Sequence, residues 1–240
     1  MRSAFPVTRW SAVLSIKEAQ TISRNRALDE LCQDYWQPLY SFARRLGHST
    51  HEAEDLTQGF FSYLIEKRLF AAADPESGKL RTFLLTTFRR YVNDVKDRAQ
   101  AAKRGGGHEV VSLDVAFGEE EYAKEPSDNV TPERVFERTW AMAVLRHAYQ
   151  ALAETEEAAG RGEQLRKLEP FLVLGGDPTE CYKRASLELG FSEAAARQVV
   201  TRLRGKLREC LRRHIADTLR NPTEEQIEQE LMSLRNALLD

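Results

Sequence analysis

Apolar residues recur at helical spacing along most of this chain, and strict apolar–polar alternation is almost absent. Leu28, Leu31, Tyr35, Leu39 and Phe42 fall on one stripe. That spacing predicts a helix over about residues 25–46, stopped by Gly47. Ser49 or Thr50 can cap a second helix reaching about Lys67, with Glu52 and Glu54 in its first turns, where the helix dipole favours negative charge. Its inward stripe is Leu56, Phe60, Phe61 and Leu64. A turn at 75–78 precedes a third helix over about 80–103, which ends at Gly105-Gly106-Gly107. Thr131 as cap and Pro132 at the first position open a fourth, with Phe136, Trp140, Ala143, Val144 and His147 on its apolar stripe, broken by Gly160 and Gly162. Two further helices, 178–189 and about 193–219, flank the turn Gly190-Phe191-Ser192. The segment 221–224 caps a last helix, whose Ile227, Leu231, Leu234 and Leu238 share one face. The one strand-like stretch is 109–113. The fold class expected is all-α.

Composition changes the picture in two places. The 240 residues carry a net charge of only −2, and 42% are apolar. No apolar run is long enough to span a membrane, and none near the N-terminus has signal-peptide length. Cys32, Cys181 and Cys210 are widely spaced and odd in number, which fits a reducing compartment rather than a disulfide framework. The charge is unevenly spread, however. Over 79–104, basic residues at 79, 81, 89, 90, 96, 98, 103 and 104 face only Asp94 and Asp97. A second basic run lies between Glu193 and Arg213. Between them, residues 109–137 are acidic apart from Lys124 and Arg134 and read as a solvated linker. Two cationic helices in a two-lobed helical chain suit nucleic acid better than one solvated face would.

The unit at 178–213 has the form of a helix-turn-helix. Ser192 caps its second helix, and alanines 194–196 allow that helix's N-terminus to approach closely. Arg197, Gln198, Thr201 and Arg202 then reach bases and phosphates, with Arg204 and Lys206 beyond them. The most specific string is Glu52-Ala53-Glu54-Asp55-Leu56-Thr57-Gln58, set just ahead of Phe60 and Phe61. Acids suit a helix N-terminus, but that does not account for the whole string.

Residues 25–104 resemble region 2 of an extracytoplasmic-function sigma factor of bacterial RNA polymerase. The string 52–58 is similar to that family's Asp-Ala-Glu-Asp-Leu-x-Gln core-binding motif. The segment Leu80-Arg81-Thr82-Phe83-Leu84-Leu85-Thr86-Thr87-Phe88-Arg89, through Asp94, is similar to the helix that melts and reads the −10 element. Residues 179–213 resemble region 4, which reads the −35 element. The resemblance implies two helical domains joined by an acidic linker: 1–107, the linker 108–130, 131–220, and a helical extension 221–240. It implies binding of core RNA polymerase (the β′ clamp and the β flap) through Glu52, Glu54, Asp55 and Gln58. It implies promoter contacts from Arg81, Phe88, Arg89, Arg90, Tyr91 and Lys96 at −10. At −35 they come from Ser192, Ala195, Arg197, Gln198, Thr201, Arg202, Arg204 and Lys206. A cytoplasmic, nucleoid-associated protein follows, with an anti-sigma factor or a Ser/Thr kinase as further partners; Thr57 is the hydroxyl such a kinase would meet. Departures stand at Arg90, where the family often has Asn, and at Val199 and Thr201, where Arg and His are common.

No catalytic constellation, cofactor or metal site is expected. Gly105-Gly106-Gly107 lacks the Lys-Ser/Thr of a phosphate loop. His48 and His51 have no Cys or second His pair nearby. Two other readings compete: a stand-alone helix-turn-helix regulator, against which the acidic string argues, and a helical adaptor, against which Ser192 and its cationic helix argue. The extension is expected to fold back on the helix of Phe136, Trp140 and Val144 as a brace, acids outward; the alternative is that its acids shield Arg202 and its neighbours and inhibit DNA binding until polymerase displaces them.

Overall fold

The computed structural model describes residues 21–67, 69, 79–102, 130–172, 178–219 and 222–239. Among these the regular elements are helical: α1 (Thr21–Arg45), α2 (Thr50–Glu66), α3 (Leu80–Ala102), α4 (Pro132–Ala158), α5 (Gly162–Leu168), α6 (Pro178–Leu189), α7 (Glu193–Thr218) and α8 (Glu224–Leu239). A 3-10 turn, Glu169–Phe171, follows α5. The strand-like stretch 109–113, the glycine stop at 105–107 and the linker up to residue 129 lie outside the described residues.

The helices begin and end where local chemistry dictates. Thr131 Oγ1 accepts from the Arg134 amide, Ser192 Oγ from Ala195 and Thr223 Oγ1 from Gln226. Each satisfies an amide that the helix itself leaves without a partner. At the end of α1 the Gly47 amide donates to the Arg44 carbonyl and the His48 amide to the Ala43 carbonyl. That paired closure needs a left-handed residue, and Gly47 supplies it at φ +92°.

The chain divides into two compact units. One comprises residues up to Ala143 together with Ala216–Asp240; the other is Val144–Ile215. The division falls inside α4, not at its start. At 27 residues α4 is about 40 Å long, more than a single small core can cover.

In the first unit, Tyr35, Leu39 and Phe42 of α1 are buried with Phe60 and Leu64 of α2 and with Leu80, Leu84, Phe88 and Val92 of α3. Arg45 Nε donates to the Val130 carbonyl at 2.7 Å, fixing the approach to α4. In the second unit, Ala148 and Leu152 of α4, Leu165 and Leu168 of α5, Phe171, Ala185 of α6, and Ala196, Val200, Leu203 and Leu207 of α7 form one core.

Ser49 and Glu52 close a reciprocal capping box at the start of α2. Replacing Ser49 by Ala should cost about 1 kcal/mol in urea unfolding. The Ser49 hydrogen bonds hold the Glu52 carboxyl below its ordinary value. The box therefore contributes fully above the unfolded-state pKa and fades as pH falls through the lower folded value. The Ser49→Ala penalty should shrink over that acid range; a penalty independent of pH would contradict it.

Candidate functional site

The register of α2 splits the acidic string by direction. Glu52 turns back on its own cap: the Ser49 amide and hydroxyl donate to its Oε2 at 2.9 and 2.8 Å. Ala53, Glu54, Leu56 and Thr57 are buried. Glu54 was expected among the polymerase contacts, yet only 8% of it is exposed. It lies seven residues before Phe61, hence on the same inward face. Thr57 is wholly buried, and its hydroxyl donates to the Ala53 carbonyl at 2.7 Å. A kinase cannot reach it in the folded helix, which corrects its reading as a phosphorylation site. Gln58 is exposed and Asp55 half-buried at the edge of the same face, with His51 Nδ1 3.9 Å from the Asp55 carboxylate.

The cations of α3 also divide. Arg81 was expected to follow a DNA backbone, but it is buried: it pairs with Glu230 of α8, sits 3.1 Å from the Glu137 carboxylate and lies over the Trp140 ring. Lys79 pairs with the same Glu230. Arg89 is exposed and pairs with Glu133. Arg90 and Lys96 are exposed. Phe88 is not offered for stacking. It is fully buried, with its ring centroid 5.0 Å from Phe60 and 6.1 Å from Phe42, each edge to face. Tyr91 is the half-buried aromatic beside these cations, 5.1 Å from the Tyr63 ring, and burial raises its phenol above the ordinary value. It has room because residue 59 is glycine; a Cβ there would collide with the Tyr91 hydroxyl. Sequence reasoning missed Gly59, since nothing in the local pattern shows which ring crosses above it.

In the second unit the turn between α6 and α7 is closed by Gly190, at φ +64°. The Phe191 amide donates to the Ser186 carbonyl at 3.1 Å. Buried Ala185 and Ala196 let the two helices pack closely. Arg197, Gln198, Thr201 and Arg202 then share one exposed face of α7. The Arg197 guanidinium rests 5.0 Å from the centroid of the Tyr182 ring, a support not foreseen from the sequence. Ala195 is half-buried beneath this face and Ser192 is spent as the cap. Arg204 and Lys206 point elsewhere. Arg204 donates to the Phe171 carbonyl at 3.1 and 2.8 Å, and Lys206 pairs with Glu156. Glu156 is buried and also accepts from Arg161 at 2.7 Å; Arg161 foremost, then Lys206, hold its carboxyl below the ordinary value. These two cations, expected to carry salt-dependent affinity, brace their own unit instead. Arg208, further along the outward face, is exposed.

Residues 31–102, covering most of α1 and all of α2 and α3, match the family of sigma-70 region 2. No curated protein and no solved structure matches the chain. The segment that matches this family model presents Asp55 and Gln58 on α2, and Arg89, Arg90, Tyr91 and Lys96 on α3. Among the described residues no helix is long and apolar enough to cross a membrane.

The two aromatic positions of α3 should separate experimentally. Phe88→Ala should destabilise the protein by about 3–5 kcal/mol, as core truncations of this size do. Gly59→Ala should displace Tyr91, visible as a changed tyrosine environment in near-ultraviolet circular dichroism, with a far smaller stability loss. A mild Phe88→Ala variant would contradict the core assignment.

Proposed function

We propose that this protein is a sigma-70 family sigma factor of the extracytoplasmic-function type, which binds core RNA polymerase and directs it to promoters. The observation that supports this best is the succession along one chain: a sigma-70 region 2 at 31–102, then a helix-turn-helix with Arg197, Gln198, Thr201 and Arg202 on one open face. A stand-alone duplex reader has no need of the first, and an adaptor has no need of the second.

In this reading Asp55 and Gln58 meet a basic surface of the polymerase, the β′ clamp, while Glu52 and Glu54 shape the helix that presents them. Arg89, Arg90 and Lys96 follow the separated strand near −10, and Tyr91 offers a face to an unpaired base, as single-strand binders do. The face of α7 enters the major groove at −35. Arg197 suits bidentate pairing with a guanine edge. The second unit also engages the β flap. The acidic segment between the regions repels DNA and suits a basic channel of the polymerase. The protein supplies positioning and charge, not catalysis, and works at the nucleoid. An anti-sigma partner would act by covering the α2 surface.

Run-off transcription with purified bacterial core polymerase on a genomic library tests the reading: discrete transcripts that depend on this chain are expected, and their absence would sink it. Reversing Asp55 to Lys should weaken core binding by about 2 kcal/mol. Unfolding midpoints should move far less than for a core truncation, because that side chain is half-buried at the surface and not part of the core.

Arg197→Ala should change which −35 sequences are selected and cost about 1–3 kcal/mol at the preferred base pair. If selection returns the same motif, Arg197 is no more than a phosphate contact.

A further inference from the structure

The C-terminal helix was expected to turn its acids outward. Glu224 and Glu225 are exposed, but Glu230 is 3% exposed and pairs with both Lys79 and Arg81 at the start of α3. The first turns of α4 add two more acids, with Glu137 on Arg81 and Glu133 on Arg89. Three carboxylates thus occupy three cations of the helix that region 2 would lay along DNA.

The apolar hold on α8 is thin by comparison. Of its 16 residues, Ile227, Glu230 and Leu234 are buried, while Met232 and Leu239 are largely exposed. Between α8 and the first half of α4 lies a gap of about 250 Å³, bordered by Glu133, Glu137, Ser233 and Ala237. A brace would fill that space with side chains. Here the most buried residue of the helix is a carboxylate on two cations, beside an apolar face of which only Ile227 and Leu234 are buried and Leu231 and Leu238 half-buried. Elements with few buried apolar contacts open most readily. Buried to 6% exposure with its Nη1 and Nε facing carboxylates, the Arg81 guanidinium is closed to a phosphate while α8 is in place.

We propose that α8 is an internal competitor of the DNA backbone, with Glu230 standing where a phosphate would sit on Lys79 and Arg81, so that α8 must leave before the start of α3 engages DNA. This rests on the sigma-factor reading of region 2 and adds to it a control carried by the chain itself. Displacement would expose the apolar face of α8 and free Lys79 and Arg81 together.

The test uses the full chain and a fluorescein-labelled single-stranded oligodeoxynucleotide of mixed sequence, followed by anisotropy over a salt series. Glu230→Gln should bind roughly tenfold tighter at low salt, within the usual range of coupling between two ligands of one site. Its log affinity against log salt should steepen by about 1.4, since each phosphate contact on a single strand contributes about 0.7. Glu225→Gln removes the same charge from an exposed position of the same helix and should change binding by less than about twofold. A Glu230→Gln protein no tighter than Glu225→Gln overturns the proposal. Hydrogen exchange on the unaltered protein gives a second readout that does not depend on how the variant folds. Amides of α8 should lose protection when the oligonucleotide binds, and retained protection in the bound state overturns the proposal. Absence of both run-off transcription and oligonucleotide binding would remove the sigma reading and the competitor with it. Run-off by a chain whose α8 stays protected on DNA would remove the competitor alone.

Discussion

The rings of Phe42, Phe60 and Phe88 meet edge to face where α1, α2 and α3 converge, and the directions of all three helices follow from that fit. Edge-to-face pairs add about 0.5–1.5 kcal/mol each beyond the area they bury, and they fix relative rotation as well as distance. Once Phe60 points inward on α2, Gln58 must point out and Asp55 falls half-buried at the edge of that face. Once Phe88 points inward on α3, Arg89 and Arg90 are carried to the surface and Tyr91 to its edge. Every surface property of region 2 is therefore set from the inside.

The helices were legible because their information is local. A cap such as Ser49 or Ser192, a stop such as Gly47, and a 3.6-residue stripe each lie within a few positions of one another. The likeness to sigma-70 region 2 over residues 31–102 was legible for the same reason, since the string 52–58 is contiguous. What stayed hidden is which partner a given side chain finds across the fold. Arg81 and Arg90 look alike in a basic run, yet one lies over Trp140 between two carboxylates and the other is exposed. Arg202 and Arg204, two residues apart, end on opposite duties. Phe88 was misread because an aromatic beside arginines suits stacking and core equally well.

Burial of charge follows one rule in both units. Glu156 is buried and takes Arg161 and Lys206; Glu230 is buried and takes Lys79 and Arg81. An ionised carboxylate withdrawn from water needs such compensation, and two cations provide it better than one. Charge counts along a helix therefore overstate what is available to a partner. On α3 the cations at 79 and 81 are committed, whereas those at 90 and 96 are exposed. On α7 the exposed ones are 197, 202, 208 and 213, not 204 and 206.

The division of labour within α2 has an evolutionary consequence. Ala53, Glu54, Leu56 and Thr57 are held by packing, and Glu52 by its cap, so drift at any of them is paid in stability. Asp55 and Gln58 carry no such duty. These two positions can be substituted while the helix stays intact, so their side chains are constrained by what they meet and not by the frame that carries them. Resemblance across the whole string consequently speaks more of ancestry than of a shared partner.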